Sequence, residues 1–300
     1  MTIPAKSEGR LQPLPLVLQI VVYVTIGWLG IEIFGRILPW FTGYFWGSCA
    51  ASFAIALTAN WLTMRIFSTR RLVELGLWLT RASADNLALG LMGGAGAAAL
   101  VLGPPLLMGA AHFGPLPPGD QASFGSLVFI TTGLMVAATG EELMMRGYAF
   151  QILLASCGTW TTIVPVGVVF ALLHGGNPDA TWFSVTNTAG FGILFGYAFL
   201  RSRDIWLPIG LHFGWNFTLP LFGVNVSGLR MRMTGHEMVW SAGKLWSGGD
   251  YGPEASILTS GVMVLLALYI WKAPVHRQPS PLTDPPEASE VCEPSPALPS

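Results

Sequence analysis

Six polar residues sit in three otherwise apolar segments. The segments are Glu141-Glu142-Leu143-Met144-Met145-Arg146, Phe170-Ala171-Leu172-Leu173-His174 and His212-Phe213-Gly214-Trp215-Asn216. A charged side chain at the centre of a hydrocarbon layer costs about 2.5–3.5 kcal/mol on insertion scales. Only 10% of the chain is charged, so this concentration calls for a chemical reason. Hydrolysis of an amide needs a base to deprotonate water, an acid for the leaving nitrogen, and donors for the oxyanion. Glu141 and His174 are of the types that supply the first two, and His212 and Asn216 of the types that supply the third. No serine or cysteine lies in a nucleophile motif, which argues against an acyl-enzyme.

Helical spacing sorts these residues by face. Glu142 and Arg146 are i,i+4 and can pair. Glu141 is rotated by about 100° and is free of that pair. His212 and Asn216, also i,i+4, point into one space, and Phe170 lies one turn from His174. If the turn between two helices falls near Cys157, Glu141 lies 16 residues before it and His174 lies 17 after it. An antiparallel pair then holds both at one height, with Pro165 as a possible kink. The helix carrying His212 must reach the same level, so that the fourth, fifth and seventh spans converge on a pocket beneath the cytosolic surface.

The elements that position these residues are membrane helices. The chain of 300 residues is 52% hydrophobic and 12% aromatic, with a mean hydropathy of +0.56. Soluble domains carry about 25% charged residues, so the expected fold class is all-α, a polytopic transmembrane bundle of about eight spans. Apolar runs predict spans at 14–34, 43–64, 86–111, 123–155, 160–174, 181–200, 204–222 and 256–272. The domain reading places a cytoplasmic segment at 1–13 and membrane helices over 14–119. The catalytic core covers 120–222, a loop and last helix 223–272, and a Pro-rich disordered tail 273–300. Arg70, Arg71 and Arg81 among apolar residues predict an amphipathic interfacial helix over 70–82. The first apolar run is too long for a signal-peptide core and is expected to be retained. Gly90, Gly94 and Ala98 recur every four residues, a helix-packing stripe. The G-x-G-x-x-A at Gly94 has no strand before it, so it is not read as a dinucleotide site.

Lys6, Arg10, Arg65, Arg70, Arg71, Arg81, Arg201, Arg203, Lys272 and Arg277 fall on one side of this arrangement. The positive-inside rule makes both termini cytoplasmic. The expected setting is an integral protein of a bacterial plasma membrane. Twelve Trp fit interfacial belts or helix packing equally well. Cys49, Cys157 and Cys292 have no metal-site or redox spacing.

The ordered set E-E-x-x-x-R, F-x-x-x-H and H-x-x-x-N on successive apolar helices resembles the CPBP family, the CAAX proteases and bacteriocin-processing and immunity (Abi-type) proteins. All three motifs are complete, over about residues 120–220. The resemblance implies that Glu141 and His174 activate water, that His212 and Asn216 hold the oxyanion, and that Glu142 and Arg146 support the site. It implies an endopeptidase acting on a prenylated or otherwise membrane-bound protein or peptide, with lipid as its surroundings and no nucleic acid. No cofactor is fixed by the sequence. If a divalent metal such as zinc is used, Glu141, His174 and His212 are its ligands.

Blander readings apply to each part alone. Glu142–Arg146 can be a structural ion pair, and a lone membrane histidine is more often an interhelical hydrogen-bonder. His112 and His276 are read as inert, and His236-Glu237 lacks the second histidine of H-E-x-x-H. Competing functions are an ion- or proton-coupled transporter and an inactive, immunity-type relative.

Overall fold

The computed structural model describes residues 13–284; Lys6, Arg10 and Cys292 lie outside them. The helices are α1 (Pro13–Thr42), α2 (Tyr44–Phe67), α3 (Arg81–Leu107), α4 (Phe124–Arg146), α5 (Tyr148–Cys157), α6 (Trp160–His174), α7 (Trp182–Ser202), α8 (Trp206–Leu221), the single turn α9 (Lys244–Ser247) and α10 (Ile257–Lys272). The all-α membrane bundle expected from the sequence is what the chain forms. Among the described residues five apolar helices are long enough to cross a membrane: α1, α2, α3, the α4–α5 unit, and α7. Helices α6, α8 and α10 have 15, 16 and 16 residues. At 1.5 Å per residue they reach about 22–24 Å, short of a hydrocarbon core of about 30 Å. The eight expected apolar segments are therefore five long helices and three short ones.

The centre is the α3–α8 pair, built on glycine. A Cβ on Gly94 would collide with the Leu211 carbonyl oxygen and come within 2.8 Å of Trp215 N. Gly90 lies equally close to Gly210, and Gly214 opposes Leu91 and Ala95. The stripe read on α3 thus has a counterpart on α8 that lets the two backbones touch. Gly94→Ala should destabilise the fold by about 1–3 kcal/mol. Gly96→Ala, whose Cβ would meet nothing within 4 Å, should leave it unchanged. Thermal unfolding in detergent measures both, and equal melting temperatures would contradict this packing.

The long fourth helix breaks at Gly147, whose ψ of −146° leaves the helical region. Asn60 of α2 covers the break. Its Oδ1 accepts from Tyr148 N at 2.6 Å, and its Nδ2 donates to the Leu143 carbonyl at 3.1 Å.

Two expectations about the periphery fail. Residues 70–82 form no interfacial helix but a single 3-10 turn, Leu72–Leu75, closed by Gly76 at φ 91°. Arg70 pairs with Glu74 at 3.1 Å, and Leu75 is fully buried under the bundle instead of lying on a membrane surface. The segment after Ala273, read as disordered, is docked as far as it is described. His276 exchanges backbone hydrogen bonds with the Asn86 side chain, Gln278 N donates to the Ser202 carbonyl at 2.7 Å, and Trp78 Nε1 donates to the Pro279 carbonyl. At the other end of the bundle the two long loops meet. Strand β1 (Ala111–Pro115) pairs antiparallel with β2 (His236–Trp240), Ala111 opposite Trp240. Arg232 reaches Asp120 and Glu237 beside them.

Candidate active site

Helices α4, α6 and α8 bring Glu141, His174 and His212 together. Glu141 Oε2 lies 3.7 Å from His174 Nε2 and 3.8 Å from His212 Nε2. This oxygen is buried and accepts no hydrogen bond among the described residues. The separations exceed a direct hydrogen bond and suit groups that share one small reactant. The equal-height estimate for Glu141 and His174 holds, and α6 runs through Pro165 without interruption.

The backbone fixes one tautomer. His174 Nδ1 lies 2.8 Å from the Phe170 carbonyl oxygen. A carbonyl only accepts, so Nδ1 carries a proton, and Nε2 is turned toward Glu141. The Phe170 ring packs on His174 with centroids 4.5 Å apart, holding its orientation as the one-turn spacing predicts. His212 is clamped differently. Its Nδ1 lies 2.8 Å from Glu142 Oε1, and its ring stacks on Phe195 at 5.2 Å. This contact between α4 and α8 was not read from the sequence.

Behind the clamp is a closed support. Glu142 Oε2 lies 3.0 Å from Arg146 Nη1, both side chains fully buried. The pair is close but not aligned as a hydrogen bond. Arg146 Nη2 donates to the Gly192 carbonyl at 2.6 Å. Its guanidinium lies 5.6 Å from each of the Phe170 and Phe195 rings, a cation–π sandwich. Gln151 Nε2 ties the Arg146 carbonyl to that of Leu75. Glu141 faces away from this cluster, as its rotation on the helix requires.

A cavity of about 470 Å³ is lined by Glu141 and His174, with His212 buried behind its wall. Its wall includes Glu141, His174, Phe170 and Asn216, so Asn216 shares the space as expected. Cys49 and Ser52 of α2, Asn177, and Ser227 and Arg230 of the α8–α9 loop complete it. The sequence reading missed these last residues, which carry no motif. It also missed Glu254, a buried carboxylate. Glu254 accepts from Ser227 N, from Ser227 Oγ at 3.0 Å and from Trp215 Nε1 at 3.4 Å. Burial raises its pKa against the pull of the Ser227 donors and of His174. Glu254 thereby pins the loop that lines the cavity.

Asn177, Ser227 and Arg230 belong to the end carrying the α6–α7 and α8–α10 loops. His112 lies on β1, His236 stacks on Phe113 and His276 faces Asp85, all outside the cavity wall.

As metal ligands the three residues stand a few tenths of an ångström wider than a closed site. Tetrahedral zinc with ligands at about 2.0–2.1 Å sets neighbouring ligand atoms about 3.3–3.4 Å apart, closer than the two separations here. Among the described residues no set of three His, Cys, Asp or Glu forms a metal cluster.

No curated protein matches the chain. Residues 122–218 match the family model described as "Type II CAAX prenyl endopeptidase Rce1-like". The match takes in all three motifs and the helices that carry them. Over this segment the chain is similar to the Rce1-like group of CAAX proteases.

Proposed function

We propose that this protein is an intramembrane endopeptidase that hydrolyses a peptide bond with water activated by Glu141 and His174. Its substrate is a lipidated or membrane-associated protein or peptide. The observation that carries the reading is the approach of His174 Nε2 and His212 Nε2 to the same unpartnered oxygen of Glu141.

In this mechanism Glu141 takes a proton from a water that also hydrogen-bonds to His174 Nε2. The resulting hydroxide adds to the scissile carbonyl. Asn216, and a doubly protonated His212 that donates Nδ1–H to Glu142 and presents Nε2–H to the cavity side, donate to the oxyanion. Glu141 returns its proton to the leaving nitrogen as the C–N bond breaks. The products are a carboxylic acid and an amine, which exchange the acid's proton to leave as carboxylate and ammonium. Glu142 and Arg146 touch no reacting atom and act by holding His212. Lining side chains such as Phe45, Leu134 and Leu173 give the cavity the apolar walls that a membrane-bound substrate requires.

This mechanism uses a hydrogen-bonded water and no metal. Purified protein should cleave a quenched fluorescent, farnesylated peptide in detergent, and exhaustive chelation should leave its rate within about twofold. Loss of activity on chelation, restored by zinc, would replace this mechanism with a metal-dependent one. Absence of cleavage together with ion flux across sealed vesicles would replace the enzyme with a transporter.

A further inference from the structure

We propose that Glu254 is a positioning residue for peptide hydrolysis, one that sets substrate affinity. It braces the turn Val226–Leu229 as a fixed wall against which the peptide lies. This rests on the endopeptidase reading of the same site.

The turn is held in a conformation that one of its residues does not favour. Val226 and Leu229 exchange backbone hydrogen bonds of 3.0 and 2.8 Å. The two residues between them both have positive φ, 48° at Ser227 and 81° at Gly228. Two-residue turns of this kind prefer Asn-Gly, Asp-Gly or Gly-Gly, because an ordinary side chain at positive φ crowds its own backbone. Gly228 meets the requirement, and a Cβ there would also strike the Pro178 carbonyl. Ser227 does not, so a contact from outside the turn must hold it. Glu254 supplies that contact, accepting from Ser227 N and from Ser227 Oγ at 3.0 Å.

The Glu254 side chain serves the turn and not the helix that follows it. Its carboxylate is buried, and its partners among the described residues are three neutral donors, the third being Trp215 Nε1 at 3.4 Å. A buried carboxylate is costly unless donors fill its oxygens. Anchoring α10 does not call for one, because backbone groups do it. Asn187 Nδ2 of α7 donates to the Glu254 and Ser256 carbonyls at 2.8 and 3.0 Å, and Ser256 Oγ caps α10 by accepting from Thr259 N.

The turn borders the site in two places. Val226, Ser227 and Leu229 line the cavity directly. Gly228 packs on Pro178, next to Asn177, which also lines the cavity and whose N–H donates to the His174 carbonyl at 3.1 Å. Helix α8 is held independently: Gly94 of α3 abuts Trp215 N, and the Trp215 ring packs on Phe191 with centroids 4.7 Å apart. Loss of Glu254 therefore loosens the wall and leaves His212 and Asn216 in place.

The test is the split between KM and kcat in full-length protein, with a quenched fluorescent, farnesylated peptide in detergent. Glu254→Gln keeps the volume but puts an NH2 donor where one acceptor oxygen stood, so one Ser227 donor loses its partner. We expect KM to rise about tenfold, the loss that follows one buried hydrogen bond, with kcat within about threefold of wild type. Glu254→Asp, which keeps both acceptor oxygens, should lie between the two. Deuterium exchange of the 224–231 segment should quicken by about tenfold in Glu254→Gln as the Ser227 amide is released. An unchanged KM, or a fall in kcat alone, would overturn the inference, and so would unchanged exchange at the turn. If Glu254→Gln does not fold, Ser227→Ala, which removes only the Oγ donor, should still raise KM, and a wild-type KM there would overturn it. Absence of cleavage by the wild type would overturn the endopeptidase reading, whereas exchange at the turn needs no turnover and decides separately whether Glu254 braces it.

Discussion

Glu141→Gln should lower the rate of peptide hydrolysis by roughly two to four orders of magnitude, the contribution of a positioned general base, while the protein still folds and inserts. Glutamine fills the same volume but cannot take a proton from water. Its stability should stay near wild type because Glu141 Oε2 accepts no hydrogen bond in the fold. The measurement is the initial rate on a cleavable membrane peptide beside the melting temperature in the same detergent. Unchanged turnover would eliminate Glu141 as the base. A collapsed melting temperature would instead make it structural.

Arg146→Met should have the opposite signature, a large loss of stability. It removes the partner of a fully buried Glu142 and leaves that carboxylate uncompensated, at a cost of about 3–5 kcal/mol. The Gly192 carbonyl and the facing Phe170 and Phe195 rings lose their cation at the same time. Pairing the change with Glu142→Gln should recover part of the stability, because the two residues act as a unit. Activity should not return, since His212 Nδ1 would then face an amide in place of a carboxylate. Unfolding midpoints of the two single variants and the double variant measure the coupling. Strict additivity would show that the ion pair does not hold the site together.

The contrast between adjacent glutamates shows what was legible in the sequence. Helical rotation alone separates Glu141 from Glu142, and the structure pairs Glu142 with Arg146 while turning Glu141 to the cavity. The heights of Glu141 and His174 follow from counting residues about one turn. The contact from Glu142 to His212 was not readable, because it depends on how α4 and α8 cross. Spacing within one helix says nothing of that.

The misses share a cause. The β1–β2 pair joins residues more than 120 positions apart. Glu254 reaches the site through Ser227 and Trp215. Asn86 and Ser202 capture the segment after α10. These are long-range pairings of polar groups with backbone, and no local periodicity records them. The expected amphipathic helix failed for a related reason. Its apolar residues serve the protein core, with Leu75 buried beneath Gln151, and not a lipid surface.

Mapping the peptide C-termini formed in membranes carrying the wild-type protein, against membranes carrying Glu141→Gln at equal abundance, tests the shared-water site most directly. The expected result is a set of new C-termini, from membrane-anchored proteins, seen with the wild type and missing with the variant. Identical sets of termini in the two membranes would contradict it.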